Sequence, residues 1–486
     1  MAEDVEKPRQ LTGLPASLAA GLYIALALAP LALAIAFGVA ADRPWAEAAS
    51  GLGMVALAML GLQFFTSGRF RTLSGRIGID RTIAFHAWAA RALLAAVILH
   101  PLLYAVPTFV TDAGRGFQVL EMMFTSPRNR TGLIAWLAVI LIVLLAVLRE
   151  RWRIPYELWR ASHALLGATA LVTGLWHAWS IGLYSEDAML RTFWIALGAV
   201  ALGTLVVVYV WRTIANRRDA WRLTQNRALG RGIRELTFRR ESSAPFDYMA
   251  GQFVWLVTAP RLFPLFDHPF SIASTPREPE LKLKLIIKEV GDYTNTIGTL
   301  QPGTVAGIDG PHGVFVETGQ EADAILLVAG GAGIAPVLGI LRDLDRARDK
   351  RPIRLVFAAG APDRIVARDE IAQMAERLDL QSRFLVESGT PDWDGSIGRV
   401  ERRLLEQMLD GLPVERTLAL VCGPTIFMTT TADWLLDLGV PKDKIHYERF
   451  DYNDGALSRI DRARRMRLWA LGAAIALAVA GFALRG

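Results

Sequence analysis

Four of the seven histidines stand at a repeated interval: His86 and His100 are fourteen positions apart, and so are His163 and His177. Each pair lies inside an apolar run. On an α-helix fourteen residues turn about 1400°, some 40° short of four full turns, and rise about 21 Å. Both imidazoles of a pair therefore share one helix face at two depths. If the two runs cross in the same direction, His86 is level with His163 and His100 with His177. Polar side chains at such depths cost several kcal/mol unless paired, which makes them functional suspects. A lone membrane histidine is most simply an interhelical hydrogen bonder, but the duplicated interval favours ligation. Zinc is a poor third choice, because each level offers two ligands and no Cys or carboxylate. Haem needs only two axial ligands, and with no C-x-x-C-H attachment motif the haems would be non-covalent and b-type. A rise of about 20 Å between two such centres suits electron passage across a bilayer. Arg91, about one turn beyond His86, is a partner for a haem propionate or an ordinary snorkelling cation. Phe85, Trp88, Trp176 and Trp179 line the same helices and read first as packing.

The elements that must carry these rings are apolar runs long enough to cross about 30 Å of hydrocarbon. They lie near residues 17–40, 50–66, 83–106, 131–149, 161–182 and 191–211, the second of them short, and a seventh follows at 467–484. With 52% hydrophobic and 21% charged residues in 486, the composition also calls for a membrane portion. The first run reads as a retained helix, because no convincing small-residue cleavage site follows it. Arginines cluster after the second run (Arg69, Arg71, Arg76, Arg81), after the fourth (Arg149, Arg151, Arg153, Arg160) and after the sixth (Arg212, Arg217, Arg218). Positive residues at membrane ends favour the cytoplasm. The N-terminus and the polar stretch from 218 to about 465 are thus expected inside, with the His86 level facing them. Arg462, Arg464, Arg465 and Arg467 sit at the inner end of the last run, whose far end is expected outside. The net charge of +6 is distributed in this topological way and not as a nucleic-acid stripe. With Cys422 the only cysteine, an internal disulfide, a four-Cys zinc site and a four-Cys iron–sulfur cluster are excluded. Any electron carrier must be organic or histidine-ligated.

The polar half alternates strands and helices. GQFVWL and HPFSIAS, the latter containing His268, Pro269, Phe270 and Ser271, have the alternation of strands. IIKEVGDYTNTI is a strand running into Gly291, Asp292, Tyr293 and Thr294 and a helix start, where freed backbone N–H groups can hold phosphate. DGPHG at 309–313 reads as a tight turn. AILLVA at 324–329 is a buried strand, followed by Gly330, Gly331, Ala332, Gly333, Ile334, Ala335 and Pro336 and then a helix. This is not G-x-G-x-x-G, and singly each piece is more often structural than ligand-binding. IRLVFAAG (353–360) and TLALVCGP (417–424) add parallel strands with turns at their carboxyl ends, where open α/β sheets bind ligands.

Taken in this order, the two fourteen-residue histidine intervals, HPFS, GDYT, GGAGIAP, CGP and YERF resemble the ferric reductase and NADPH oxidase superfamily over about residues 50–450. In that superfamily a haem-bearing membrane domain is fused to a ferredoxin-reductase-like flavoprotein. The resemblance implies that His268, Pro269, Phe270 and Ser271 contact the isoalloxazine and ribityl part of FAD, with Gly291 and Thr294 near its pyrophosphate. It implies that Gly330, Gly331, Gly333 and Pro336 receive NADPH or NADH, and that Cys422, Gly423 and Pro424 lie beside the nicotinamide. Glu448 and Phe450 match an acidic-x-aromatic ending whose ring stacks on the flavin and yields to nicotinamide. By its residue type alone, Cys422 is a buried small apolar side chain. The chain departs from relatives in continuing 36 residues past Phe450. It also carries Ala359, Gly360 and Ala361 where NADPH-selective relatives carry a Ser-Arg pair, leaving Arg364 or Arg368 to meet a 2'-phosphate and the coenzyme open.

The expected architecture is a multi-domain membrane protein. It has a cytoplasmic segment (1–16), an all-α six-helix haem domain (17–217), an antiparallel FAD β-barrel (218–318), an α/β Rossmann-like NAD(P) domain (319–455) and a terminal membrane anchor (456–486). In a cell membrane it would move electrons from cytoplasmic NAD(P)H through FAD and two haems to an outer acceptor, a ferric chelate or dioxygen giving superoxide. Supply to a periplasmic redox partner or quinone is the alternative, and a non-catalytic haem sensor a remote one. No nucleic-acid partner is expected.

Overall fold

A computed structural model describes residues 11–36, 43–182, 184, 186–278, 282–449 and 457–485. They divide into two compact units, one drawn from Met1–Gly13, Ser74–Asp80 and Arg212–Arg464, the other from Leu14–Leu73, Arg81–Trp211 and Arg465–Gly486.

The apolar unit is helical because its runs leave backbone groups no partner in lipid except one another. Its long helices are α1 (Ala16–Ala36), α2 (Pro44–Gln63), α3 (Ile79–Thr111), α4 (Arg130–Leu148), α5 (Tyr156–Ile181) and α6 (Ala188–Leu205), the last continued by a π-helical turn, Val206–Trp211. The charged segment Arg459–Asp461 opens a further long helix that ends at Ala483 and is designated α9 below. Among the described residues seven helices are long and apolar enough to cross a membrane. They begin up to about eight residues before the apolar runs, because charged first turns continue the helix. An amphipathic helix, Ala113–Thr125, was not legible as a separate element; Asp112 caps it by accepting from Arg115 N. The run that reads as short, α2, is the central helix: its membrane window is 72% buried, against 11–33% for the others. Small residues permit that close packing. A Cβ on Gly61, for example, would lie 2.7 Å from Leu197 of α6.

The other unit contains two six-stranded sheets. The first is antiparallel, in the order β4-β3-β6-β1-β2-β5, from β1 (Trp221–Gly230), β2 (Ile233–Arg240), β3 (Phe253–Thr258), β4 (His268–Ser271), β5 (Lys282–Lys288) and β6 (Val305–His312). Just past β4, Ile272 bridges Leu285 of β5 and Ala273 N donates to Lys284 O, so the two outer strands meet. Trp221, Phe238, Tyr248 and Phe253 fill its core. Residues 309–312 continue β6 instead of forming the expected tight turn. Phe253 pairs with His312 across a register shift, which absorbs the irregular Gly310–Pro311 backbone within the ladder.

The second sheet is parallel, in the order β10-β9-β8-β7-β11-β12, from β7 (Ala324–Gly330), β8 (Ile353–Ala359), β9 (Leu380–Val386), β10 (Ser396–Ile397), β11 (Thr417–Cys422) and β12 (Ile445–Tyr447). Its central strands are continuously apolar, as strands covered on both faces must be. Helices α7 (Ile334–Ala347) and α8 (Thr425–Asp437) follow β7 and β11. Arg342 of α7 joins the two sheets: it donates to Ala273 O at 2.6 Å, to Glu235 of β2 at 3.1 Å and to Glu370 at 2.6 Å.

Candidate functional site: facing imidazoles and two glycine turns

Helices α3 and α5 bring His86 and His163 together, with ring centroids 6.1 Å apart and planes inclined by 46°. Two imidazoles each bound at about 2 Å to one metal between them, plus roughly 1 Å from nitrogen to ring centre, give a separation of about 6 Å. The pair therefore fits a two-ligand centre. His86 Nδ1 lies 3.2 Å from Thr66 Oγ1. The same hydroxyl donates to Gln63 Oε1 at 2.8 Å, so toward the ring it accepts. That makes Nδ1 the protonated nitrogen and leaves the Nε2 lone pair free. Gln63 Nε2 also donates to the backbone carbonyl of His86 at 3.2 Å.

One helical interval on, His100 Nδ1 donates to the carbonyl of Ala49 at 2.7 Å. A carbonyl only accepts, so here too Nε2 is the free lone pair. The two anchoring positions on α2, Ala49 and Gln63, are themselves fourteen residues apart and match the histidine interval in reverse. Glycines make room for the rings. A Cβ on Gly53 would sit 2.7 Å from His100, and one on Gly132 of α4 2.6 Å from His177. His163 packs on Trp159 at 5.4 Å. Nδ1 of His163 and of His177 is buried without a hydrogen-bond partner among the described residues. Residue types alone did not expose the anchors Ala49, Gly53, Gln63, Thr66 and Gly132; the fourteen-residue spacing pointed at most to Ala49 and Gln63.

In the antiparallel sheet, β4 presents His268–Ser271 half-buried. Tyr293 stacks on His268 at 4.2 Å and lies 6.2 Å from Phe270, nearly parallel to both, so the HPFS and GDYT segments form one aromatic wall. Burial pushes the Tyr293 phenol above its ordinary range, against the hydrogen bond with Thr258, so the ring stays neutral. The amides of Val290 and Gly291 both donate to Thr294 Oγ1, at 2.9 and 2.8 Å. Of the N–H groups at this helix start that were expected to hold phosphate, that of Gly291 is taken by the Thr294 side chain.

At the carboxyl ends of β7 and β11 the two glycine turns touch. A Cβ on Gly333 would meet the Cys422 carbonyl oxygen at 2.1 Å, and one on Gly423 would meet the Gly330 Cα at 3.1 Å. Gly331 takes φ +56°, a conformation glycine adopts without strain. Pro336 is the third residue of α7, and Pro424 immediately precedes α8. The ring of Phe427, which carried no sequence signal, lies against both turns, 3.1 Å from a Cβ at Gly330 and 2.8 Å from one at Gly423. Burial, then the nearby Glu448 carboxylate, pushes the Cys422 thiol up to about 12. A thiol so held is no nucleophile at neutral pH. Glu448 is 2% exposed and accepts from Val314 N at 3.3 Å. Phe450 lies outside the described residues. Of the two arginines considered for a 2'-phosphate, Arg368 is paired with Asp394 and stacked on Phe384 and Trp393, at 5.4 and 5.3 Å. Arg364 lies over Gly360 at the end of β8, 3.4 Å from a Cβ there.

The arrangement of elements and turns agrees with three family models: "Ferric reductase like transmembrane component" over residues 52–174, "FAD-binding domain" over 222–304 and "Oxidoreductase NAD-binding domain" over 327–433. The chain belongs to the fused ferric-reductase-like oxidoreductases. This oxidoreductase is a multi-pass membrane flavoprotein with FAD- and NAD(P)-binding domains. It is similar to Ferredoxin--NADP reductase B of Sorangium cellulosum (strain So ce56), 30% identical over 242 residues that cover 47% of this chain and 96% of that protein. It is also similar to Cytochrome b5 reductase 4 of Mus musculus, 30% identical over 166 residues, 33% of this chain and 31% of that protein. The oxidoreductase thus spans about a third of that second relative. Among solved structures, the ferredoxin reductase in carbazole 1,9a-dioxygenase matches with TM-score 0.42 and 24% identity, covering 48% of this chain and 69% of that one.

Proposed function

We propose that this oxidoreductase passes electrons from cytoplasmic NAD(P)H through FAD and two b-type haems to an acceptor on the outer side, a ferric chelate or dioxygen giving superoxide. The observation that carries this reading is the His86–His163 separation of 6.1 Å, together with the second histidine of each helix one fourteen-residue interval away. His86 and His163 would hold the inner haem, and His100 and His177 the outer one. When bound, FAD splits the hydride's electron pair into single electrons and the haems conduct them through the bilayer.

The chain's own residues position and insulate. Thr66 and Ala49 fix the imidazole tautomers of His86 and His100, a common support for metal-bound histidine. His268, Pro269, Phe270 and Ser271 hold the isoalloxazine and ribityl part, beside Tyr293, with Gly291 and Thr294 near the pyrophosphate in a closed β-barrel. The turn Gly330–Gly331–Gly333 with Pro336 receives the dinucleotide through close backbone approach. Cys422, Gly423 and Pro424 flank the nicotinamide, where a neutral, buried Cys422 keeps water and charge away from the hydride path. Phe450 is the aromatic that shields the flavin. Arg364, over Gly360, is the side chain able to meet a 2'-phosphate. The domains are assigned as 1–16, 17–217, 218–318, 319–455 and 456–486.

Purified full-length protein is expected to show a Soret band that changes on anaerobic addition of NADH or NADPH when FAD is present. Proteoliposomes given the same donors should release superoxide or ferrous iron on the side away from the nucleotide. A chain without Soret absorbance, or one whose band survives replacement of all four histidines by alanine, would refute the proposal.

A further inference from the structure

The segment 47–53 at the start of α2 carries two opposed sets of contacts. Glu47 and Gly51 are four residues apart and share a face, as do Ala49 and Gly53. The two sets are offset by two residues, about 200°, and so lie on nearly opposite sides of the helix. One side holds His100: the Ala49 carbonyl takes its Nδ1–H and Gly53 leaves room for its ring. The other side is occupied by the end of α9. Phe482, 2% exposed, packs into the notch at Gly51, where a Cβ would lie 2.9 Å from its ring. Arg485 donates to Glu47 Oε2 at 3.1 Å and to Tyr184 Oη at 2.7 Å, and the Tyr184 hydroxyl donates in turn to Glu47. Glu47 and Tyr184 are 3% and 6% exposed, and the guanidinium lies over the Phe482 ring at 3.6 Å. A buried carboxylate, a phenol and a guanidinium thus clamp α9 to the turn that holds the ligand from behind.

We propose that Arg485 and Glu47 are positioning residues for His100: by locking α9 onto α2 they fix the Ala49 carbonyl and with it the orientation and basicity of the outer imidazole. The inference rests on the reading of His100 as a haem ligand. Loosening the Nδ1–H···O=C bond weakens electron donation by the ring and disfavours ferric iron.

The experiment is a redox titration of the purified, haem-loaded full chain, with the outer component identified as the one lost in His100→Ala. Glu47→Gln and Arg485→Gln remove charges of opposite sign, so a purely electrostatic influence moves the outer midpoint in opposite directions. Positioning moves it upward in both. The reduced-to-oxidised ratio at the wild-type midpoint should rise about threefold, roughly 30 mV for a one-electron couple, and the His86-dependent component should stay in place. Tyr184→Phe, which changes no charge, should shift it the same way by less, and Arg485→Lys should restore it. These two keep the test open if a glutamine variant fails to fold. Opposite shifts, no shift, or equal shifts of both components overturn the proposal. Absence of haem from the wild-type chain is seen before any variant is made, and removes the parent reading together with this one.

Discussion

The rings of His86 and His163 come together across α3 and α5 at 6.1 Å, and Thr66 stands behind His86 as its hydrogen-bond partner. If the two imidazoles share one iron, each is useless without the other. His86→Ala, His163→Ala and the double variant should all lose the same haem, about half of the total measured by pyridine haemochrome. The double variant should lose no more than either single one, the non-additivity expected of groups acting as a unit. Thr66→Val keeps the shape and removes the acceptor, and should weaken haem retention about 10–100-fold. Additive losses in the double variant would mean the two rings bind separate groups.

Space around the outer rings yields a second expectation. A methyl at Gly53 or Gly132 would fall within 2.7 Å of an imidazole, whereas one at Gly203 of α6 meets none of the described residues within 4 Å. Gly53→Ala and Gly132→Ala should displace His100 or His177 and deplete the outer haem. Gly203→Ala should leave both spectra unchanged. Equal haem content in all three would show that the rings have room to move.

The membrane helices, the histidine pairs and both glycine turns were legible because each rests on local rules: apolar length, helical periodicity, and strand–turn–helix order. The tertiary supports were not. Ala49 and Gly53 look like any small residues of a membrane helix, and only the placement of α2 against α3 turns a carbonyl and a missing Cβ into a seat for the His100 ring. Gly291 shows the reverse case. Its position before a helix was readable, but the side chain of Thr294 takes its amide, a choice that sequence spacing does not decide. Arg342, one of two arginines in α7, becomes a buried tie only when two sheets meet.

Arg342 makes three kinds of hydrogen bond from a side chain 8% exposed, to Glu235, Glu370 and Ala273 O. Arg342→Met would leave Glu235, itself 4% exposed, without that partner. Breaking a buried pair on one side costs about 3–5 kcal/mol. Thermal unfolding followed by flavin fluorescence should show a markedly earlier transition in this variant, while membrane-region helicity persists. An unchanged midpoint would mean that Glu235 is served by Arg227 alone.

For Cys422 the pH dependence has a definite sign. Burial and then Glu448 raise its ionisation from an ordinary 9.0 to about 12. The folded chain thus holds the proton in a range where the unfolded chain has released it. The associated stability is complete below about pH 9 and declines as pH rises toward 12. At pH 8 iodoacetamide should leave the native thiol intact and modify it readily in denaturant. Cys422→Ala should flatten the alkaline fall in stability between those limits. Fast alkylation of the native protein at pH 8 would contradict the buried placement.

Gly333 offers the sharpest test of the dinucleotide turn, because backbone and not side chain opposes it. A Cβ there would lie 2.1 Å from the Cys422 carbonyl oxygen and 2.8 Å from Gly423 N. Neither neighbour can swing away without parting β11 from the turn after β7. Gly333→Ala should therefore cost about 1–3 kcal/mol of stability, the usual toll of overpacking, and abolish NAD(P)H-driven flavin reduction. Reduction of the flavin by dithionite should survive, since the antiparallel sheet is untouched. At Gly331 none of the described residues lies within 4 Å of a Cβ, and the obstacle they leave is φ +56°. Gly331→Asn, a residue that tolerates this conformation, should retain much of the coenzyme affinity that Gly333→Ala loses. If both variants bound NAD(P)H like the wild type, measured by the rate of flavin reduction against coenzyme concentration, the contact between the two glycine turns would have no part in holding the dinucleotide.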